Sequence, residues 1–243
     1  MRKLLLDGFV IFLSVFASFS IDNYRDSLIE KEILNESVIT LGDEISSNIL
    51  YTKEHIHQLK NIRYLTSQVI NNFKSIDTES VFIIHDSNPY IHDFTIDGQI
   101  LYIKKYEGNS INQLLTWTNA WEPEIVFFQS MLNSGKLLEI KNKKLRKEIE
   151  SIYTKQEERI SGFFNFNQNN TEEIGKWFKQ KIDLHDYDIL ANEVFNNSRD
   201  QLLKNLLKQK KWILDQRISN LENYLQALQN VVLLISTEYK KLD

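Results

Sequence analysis

Five histidines are the residues best suited to chemistry, and three of them precede an aspartate: His85-Asp86, His92-Asp93 and His185-Asp186. A neutral imidazole beside a carboxylate suits a metal ligand with its orienting partner, or a base with its anchor. A metal phosphohydrolase of the His-Asp type needs such groups spread over helices around one centre. Here two of the pairs lie in one stretch of loop texture, seven residues apart. They read as solvated polar loop residues. His55 and His57, two apart in helical sequence, diverge from one another and make no metal spacing with Glu54. The acidic doublets Asp43-Glu44, Glu157-Glu158 and Glu172-Glu173 point about 100° apart on a helix, so none is an acid–base pair by itself. There is no phosphate loop, no Gly-rich dinucleotide turn, no G-x-S-x-G elbow and no H-E-x-x-H. The chain has no Cys, which removes disulfides, thiolate metal sites and Cys nucleophiles. The expectation is a protein that is not an enzyme, with no metal and no cofactor.

One ionisable residue stands out by its place. Asp7 sits in the apolar run Leu4 to Ile21, which is otherwise interrupted only by Gly8 and three serines. As a helix this run is roughly 27 Å long, close to the ~30 Å hydrocarbon core of a bilayer. The expectation is a single transmembrane anchor over residues 1–21, with residues 22–243 as an extracytoplasmic helical domain. Arg2 and Lys3 would then lie in the cytoplasm by the positive-inside rule. A signal peptide shares the basic start, and Ala17, Ser18 and Ser20 offer small residues for cleavage. The length of the run, and the helical sequence that follows without Gly or Pro until Gly42, favour a retained anchor.

The anchor has two faces. Asp7, Ile11, Ser14, Ser18 and Ile21 fall on one stripe at 100° per residue, and Phe9, Phe12, Phe16 and Phe19 lie opposite. Phenylalanine suits lipid, while small polar residues suit a packed helix partner. Alternatively the serines bond back to their own carbonyls. Asp7 is one helical turn from Lys3, so a snorkelling pair at the interface stands beside partner docking and a proton or ion relay.

The stretch DGFVIFLSVFASFSIDNYRD, from Asp7 to Asp26, resembles the start of a family of uncharacterised single-pass bacterial membrane proteins, whose N-termini run roughly as GEI-(apolar)-GILIALQINNWNE. Asp7 falls on the family's Glu, Asp22 and Asn23 on its Asn pair, Tyr24 on its Trp and Asp26 on its Glu. The block SGKLLEIKNKKLRKEI, from Ser134 to Ile149, is similar to a second pattern, SG-L--I-N--LR--I. Ser14 replaces a family glycine, and the glycine before the acid is absent. The resemblance implies a bacterial inner-membrane topology, with the N-terminus cytoplasmic and a periplasmic helical domain. It supplies no catalytic residue.

The elements that must carry these features are helical. Seven Gly and two Pro in 243 residues leave long uninterrupted segments. Outside the anchor 27 basic and 32 acidic residues remain, an acidic balance that argues against a nucleic-acid partner. Val38, Leu41, Ile45, Asn48, Thr52, His55, Leu59, Ile62, Thr66, Val69 and Phe73 recur in strict 3-4 alternation, a coiled-coil-like seam. Its polar members set register, or else line a buried ligand pocket. Gly42-Asp43 is a candidate break. Residues 75–108 read as a small β or irregular insertion, with Val81 to Ile84 and Gln99 to Ile103 as short strands and Asp97-Gly98 as a turn.

Leu114, Trp117, Trp121, Ile125, Phe128 and Leu132 continue at helical spacing. Trp117 and Trp121 belong to a core stripe or to a partner-docking face. Ser134-Gly135 reads as a stop and Asn142 as a cap. NFNQNNT, residues 165–171, reads as a loop. A second seam runs from Leu214 through Ile218, Leu221, Leu225, Leu228, Val232, Ile235 and Tyr239 to Leu242. The whole is a mainly α chain, an anchor feeding an elongated helical bundle. Its expected role is a membrane-bound interaction or scaffold protein, partnered by the lipid bilayer and by another membrane protein or a second copy. An ion-coupled or pore-forming subunit using Asp7, and a sensor signalling through a membrane partner, are the alternatives.

Overall fold

The computed structural model describes residues 2–96, 99–102, 111–185 and 190–239, with the side chains of all of these except 2–8, 10, 92–96 and 99–101. The architecture is mainly helical. Helix α1 (Arg2–Asn71) is 70 residues long, about 105 Å at 1.5 Å per residue. Every position of the expected α1 seam, from Val38 to Phe73, is buried. Before Leu34 no apolar side chain of the described part of α1 is buried, and the helix stands clear of the bundle. Among the described residues no helix is long and apolar enough to cross a membrane. The expected anchor falls partly on Met1 and on the side chains of residues 2–8 and 10, which lie outside them.

Gly42 does not break α1. A Cβ there would meet Ile235 Cγ2 at 3.3 Å, so the glycine serves a close approach of two helices. The partner is α9 (Gln201–Glu238). Gly42 faces Ile235, Lys60 pairs with Glu222 at 2.7 Å and Arg63 with Asp215 at 2.8 Å. Rising numbers on one helix meet falling numbers on the other, so α1 and α9 are antiparallel. A third long helix, α7 (Lys155–Asp183), packs along another side of α9, which is the central element. Serving two neighbours widens the buried face of α9 beyond one seam. Leu214, Leu221, Leu228 and Ile235 are buried, and so are Lys210, Arg217, Tyr224 and Val231, while Leu225 and Val232 are only partly covered. Leu242 lies outside the described residues.

Shorter elements fill the flanks: α2 (Thr78–Ser87), α3 (Ile111–Thr116), α4 (Val126–Asn133), α5 (Lys136–Glu139), α6 (Lys143–Tyr153) and α8 (Ala191–Ser198). Strands β1 (His92–Ile96) and β2 (Gln99–Tyr102) form an antiparallel hairpin; Asp97-Gly98 and Ile103 lie outside the described residues. Val81 to Ile84, expected as a strand, is the middle of α2. Asp77 caps that helix by accepting from Ser80 N at 2.8 Å, and Thr78, Val81 and His85 bury one helical face, which outweighs the β-branched content. The expected loop 165–171 is the middle of α7. Asn170 Nδ2 donates to the Leu206 carbonyl at 3.1 Å, and Asn167 and Asn170 are buried, so these residues turn to the bundle interior.

The helical texture expected across 110–134, with Pro123 as a candidate start of a second helix, is interrupted: residues 117–125 form a strap that is neither helix nor strand, and α4 begins only at Val126. Pro123 disfavours helix at Glu122. Gly135 adopts φ 77° between α4 and α5, and Asn142 caps α6 by accepting from Lys144 N and Leu145 N.

Candidate functional site

Two features of the fold carry functional interest: the projecting part of α1, and the polar contacts under the strap.

On the projecting helix, Phe9, Phe12, Phe16 and Phe19 are each more than 60% exposed, as are Ile11 and Ile21. Ser18 Oγ donates to the Ser14 carbonyl at 2.9 Å and Ser20 Oγ to the Phe16 carbonyl at 2.8 Å. Such bonds satisfy the hydroxyls within the helix itself. Ile11, Ser14, Ser18 and Ile21 share one exposed stripe. Asp7 lies in the same helix, and its side chain is outside the described residues.

The strap is held by side chains from two directions. On α1, Glu44, Asn48, Tyr51, His55 and Gln58 recur at 4-3-4-3 spacing and form a polar ladder beside the apolar seam. Asn48 Nδ2 donates to the Glu124 carbonyl at 2.7 Å, and Glu124 N returns a bond to Asn48 Oδ1 at 2.8 Å. Tyr51 Oη accepts from Glu122 N at 2.9 Å. Gln58 Oε1 accepts from Asn119 Nδ2. The Glu44 carboxylate accepts from Phe127 N at 2.5 Å and Phe128 N at 3.2 Å, and Tyr153 Oη donates to it at 2.7 Å. Helix α4 has no capping side chain of its own at Ile125, so Glu44 caps it from across the bundle. Asn192 and Asn196 of α8 do the same for α3 and α2, accepting from Ile111 N at 2.9 Å and Thr78 N at 3.1 Å.

From α9 come two buried cations. Lys210 Nζ donates to the carbonyls of Leu115 at 2.5 Å and Trp117 at 3.2 Å. Arg217 Nη2 donates to the Asn119 carbonyl at 2.9 Å and lies 3.2 Å from His55 Nε2. Burial, with the Arg217 charge nearby, pulls Lys210 down to about 7. Burial lowers Arg217 to about 10, still charged at neutral pH. Burial likewise raises the Tyr51, Tyr153 and Tyr224 phenols, so these stay neutral.

Trp121 is packed inside the bundle, edge-on to Tyr224 with ring centroids 5.0 Å apart. Trp117 is half-buried, and its Nε1 donates to Asn119 Oδ1 at 2.6 Å. Both belong to the strap and its footing. The polar seam members Asn48 and His55 likewise serve the strap. Lys210 and Arg217 escaped the sequence reading because basic residues on a long helix normally face solvent. Their signal was spacing: Lys210, Arg217, Tyr224 and Val231 share one heptad position.

Of the His-Asp pairs, His85 is buried in α2 with Nδ1 3.3 Å from Asp86 Oδ1, and the hydrophobic surroundings lower its pKa. His185 is exposed, while Asp186 and the side chains of His92 and Asp93 lie outside the described residues. Among the described residues no cluster of three His, Cys, Asp or Glu side chains is arranged to hold a metal. No family model, no curated protein and no solved structure matches the chain.

Proposed function

We propose that this chain is a membrane-anchored interaction protein without catalytic activity, tethered by residues 1–21 and acting through contacts of its helices. The observation that carries the reading is the bare apolar surface of α1. Phe9, Phe12, Phe16 and Phe19 are uncovered on a helix that packs against nothing before Leu34, and a contiguous apolar surface of that size marks a membrane or protein contact. Together with Leu4 to Val10 the run is long enough for a bilayer. The back-bonded Ser18 and Ser20 hydroxyls add no unmet polar group to a lipid-facing helix.

In this reading Arg2 and Lys3 stay in the cytoplasm of a bacterial cell, and the bundle stands on the other face of the inner membrane. The Phe face meets lipid. The stripe of Asp7, Ile11, Ser14, Ser18 and Ile21 meets a second membrane helix, from another protein or another copy. The resemblance of Asp7 to Asp26 to single-pass bacterial membrane proteins supports the same topology.

A second reading is favoured by the continuity of α1. One unbroken helix carries both the anchor stripe and the ladder under the strap, so a ligand-driven shift of the strap would reach the membrane along a rigid rod. That is a sensor working through a membrane partner.

The test is topology and fractionation of the full chain. A reporter fused after Asp243 is expected to be active only outside the cytoplasm. The protein is expected to stay with membranes through alkaline carbonate and to retain its N-terminal residues. Release by carbonate, or a mature chain starting after Ala17 or Ser20, overturns the tether.

A further inference from the structure

We propose that Arg217 marks an internal site for a small anion, of the size and charge of a halide or a one- to two-carbon carboxylate, between α1, α7 and α9. The inference is independent of the membrane tether.

Arg217 is 1% exposed. Its Nη2 holds the strap through the Asn119 carbonyl and meets His55. Its Nε and Nη1 have no hydrogen-bond partner, although both are buried. The centre of the Phe164 ring, from α7, lies 5.4 Å from the guanidinium carbon. Thr52 Oγ1 and Trp121 Nε1 are also buried without a partner, but they belong to neutral groups, whereas the unused Arg217 donors carry a charge.

The charge is as unbalanced as the hydrogen bonding. Among the described residues the ion pairs are Lys60–Glu222, Arg63–Asp215, Lys176–Glu173, Lys181–Asp200 and Lys211–Asp215. None reaches Arg217 or Lys210. Glu44, the buried carboxylate of the ladder, is engaged by Phe127, Phe128 and Tyr153. A cation taken from water without a counter-charge is costly, and the usual remedy is a paired anion or loss of the proton. Lys210 has the second remedy, because a neutral amine still offers two N–H groups to its two carbonyls. A guanidinium does not. A neutral guest would occupy the Nε and Nη1 donors and leave the charge. An anion answers both. His55, Asn119 and Phe164 already lie around the guanidinium, so the guest proposed is small. A pure strap clasp would need only Nη2.

The experiment follows thermal unfolding of the purified full-length protein in detergent at constant ionic strength. Sodium chloride or sodium acetate replaces the sodium salt of MES, whose bulky sulfonate does not fit. The expected result is a saturable rise in Tm of roughly 3–6 °C at ten times the midpoint concentration. A rise with chloride alone assigns a halide, and a rise with acetate alone assigns a carboxylate. Arg217→Gln is expected to lose the response. Phe164→Ala keeps Arg217 and is expected to retain the response with a shifted midpoint. Equal Tm in all three salts, an undiminished response in Arg217→Gln, or an unmoved midpoint in Phe164→Ala each overturns the site.

Discussion

Asn48 pairs with the backbone of Glu124 as one β-strand pairs with another. Its amide donates to the Glu124 carbonyl at 2.7 Å and its Oδ1 accepts from the Glu124 N–H at 2.8 Å. A residue on α1 thereby supplies to the strap the partners that a neighbouring strand would supply. The same logic runs along the ladder, and it explains how a nine-residue segment that is neither helix nor strand, 117–125, lies against a helical bundle with backbone groups at Asn119, Glu122 and Glu124 paired by side chains.

Asn48→Ala removes both bonds at a position that is 1% exposed. It is expected to cost about 1–3 kcal/mol, because a half-buried N–H and C=O lose their partners together. Chemical denaturation measures the loss, and hydrogen exchange locates it. The Glu124 amide is expected to lose protection, while amides in the middle of α9 keep theirs up to the global limit. Uniform loss of protection would mean that the strap unfolds only with the bundle.

Gly42 and Ile235 mark a close approach of α1 and α9. Gly42→Ala is expected to be nearly neutral: the new Cβ sits 3.3 Å from Ile235 Cγ2, and the strain offsets a helix-propensity gain of about 1 kcal/mol. Gly42→Leu is expected to destabilise by roughly 1–3 kcal/mol through overpacking. Ile235→Ala makes room, so the double variant is expected to be more stable than the sum of the single effects by about 1 kcal/mol. Strict additivity in the thermal melts would show that the two residues do not meet.

Lys210 makes stability depend on pH. Its amine titrates near 7 in the folded chain, against 10.5 for the unperturbed group. Between these values the unfolded chain binds a proton that the folded chain does not, so the free energy of unfolding rises with pH. The penalty is complete below about pH 7 and disappears as pH rises through 10.5. Lys210→Met removes the titration. The stability of the wild type relative to this variant is expected to climb between pH 7 and 10, by up to about 1.4 kcal/mol per unit. Contributions of Tyr51, Tyr153 and Tyr224 cancel in the difference. A flat difference would place the lysine in water.

Asp7→Asn separates the roles proposed for the anchor stripe. The substitution keeps shape and hydrogen-bonding capacity and removes the charge. Docking against a basic partner predicts weaker assembly in native membranes, since the partner's charge is left unpaired. A relay predicts intact assembly with loss of ion flux. Weakened assembly is the expected outcome. Unchanged assembly and unchanged flux would reduce the anchor to a tether.

Periodicity was enough to read much of this molecule. All eleven positions of the α1 seam are buried, because apolar residues at 3-4 spacing make one face that must be covered, whatever covers it. The Asn142 cap and the stop at Gly135 were legible for the same reason: each depends on residues within one turn. What misled was local texture without its partners. NFNQNNT has the composition of a loop and lies in α7, with Asn170 bonded to Leu206 on another helix. Val81 to Ile84 has the composition of a strand and lies in α2.

By itself the sequence determined that the chain is helical, which faces of α1 and α9 are apolar, and that its first twenty-one residues form the most apolar stretch. Each of these is a property of spacing along one segment. Tertiary structure decided that α1 and α9 run antiparallel. It decided that α9 serves two neighbours and so buries Lys210 and Arg217 on its second face. It also decided that backbone groups of 117–125 are paired by Asn48, Tyr51 and Arg217 from 71 or more residues away in the chain. A buried hydrogen bond or charge is settled by whichever group arrives opposite it, and that meeting is written in the packing of distant helices, where no local spacing records it.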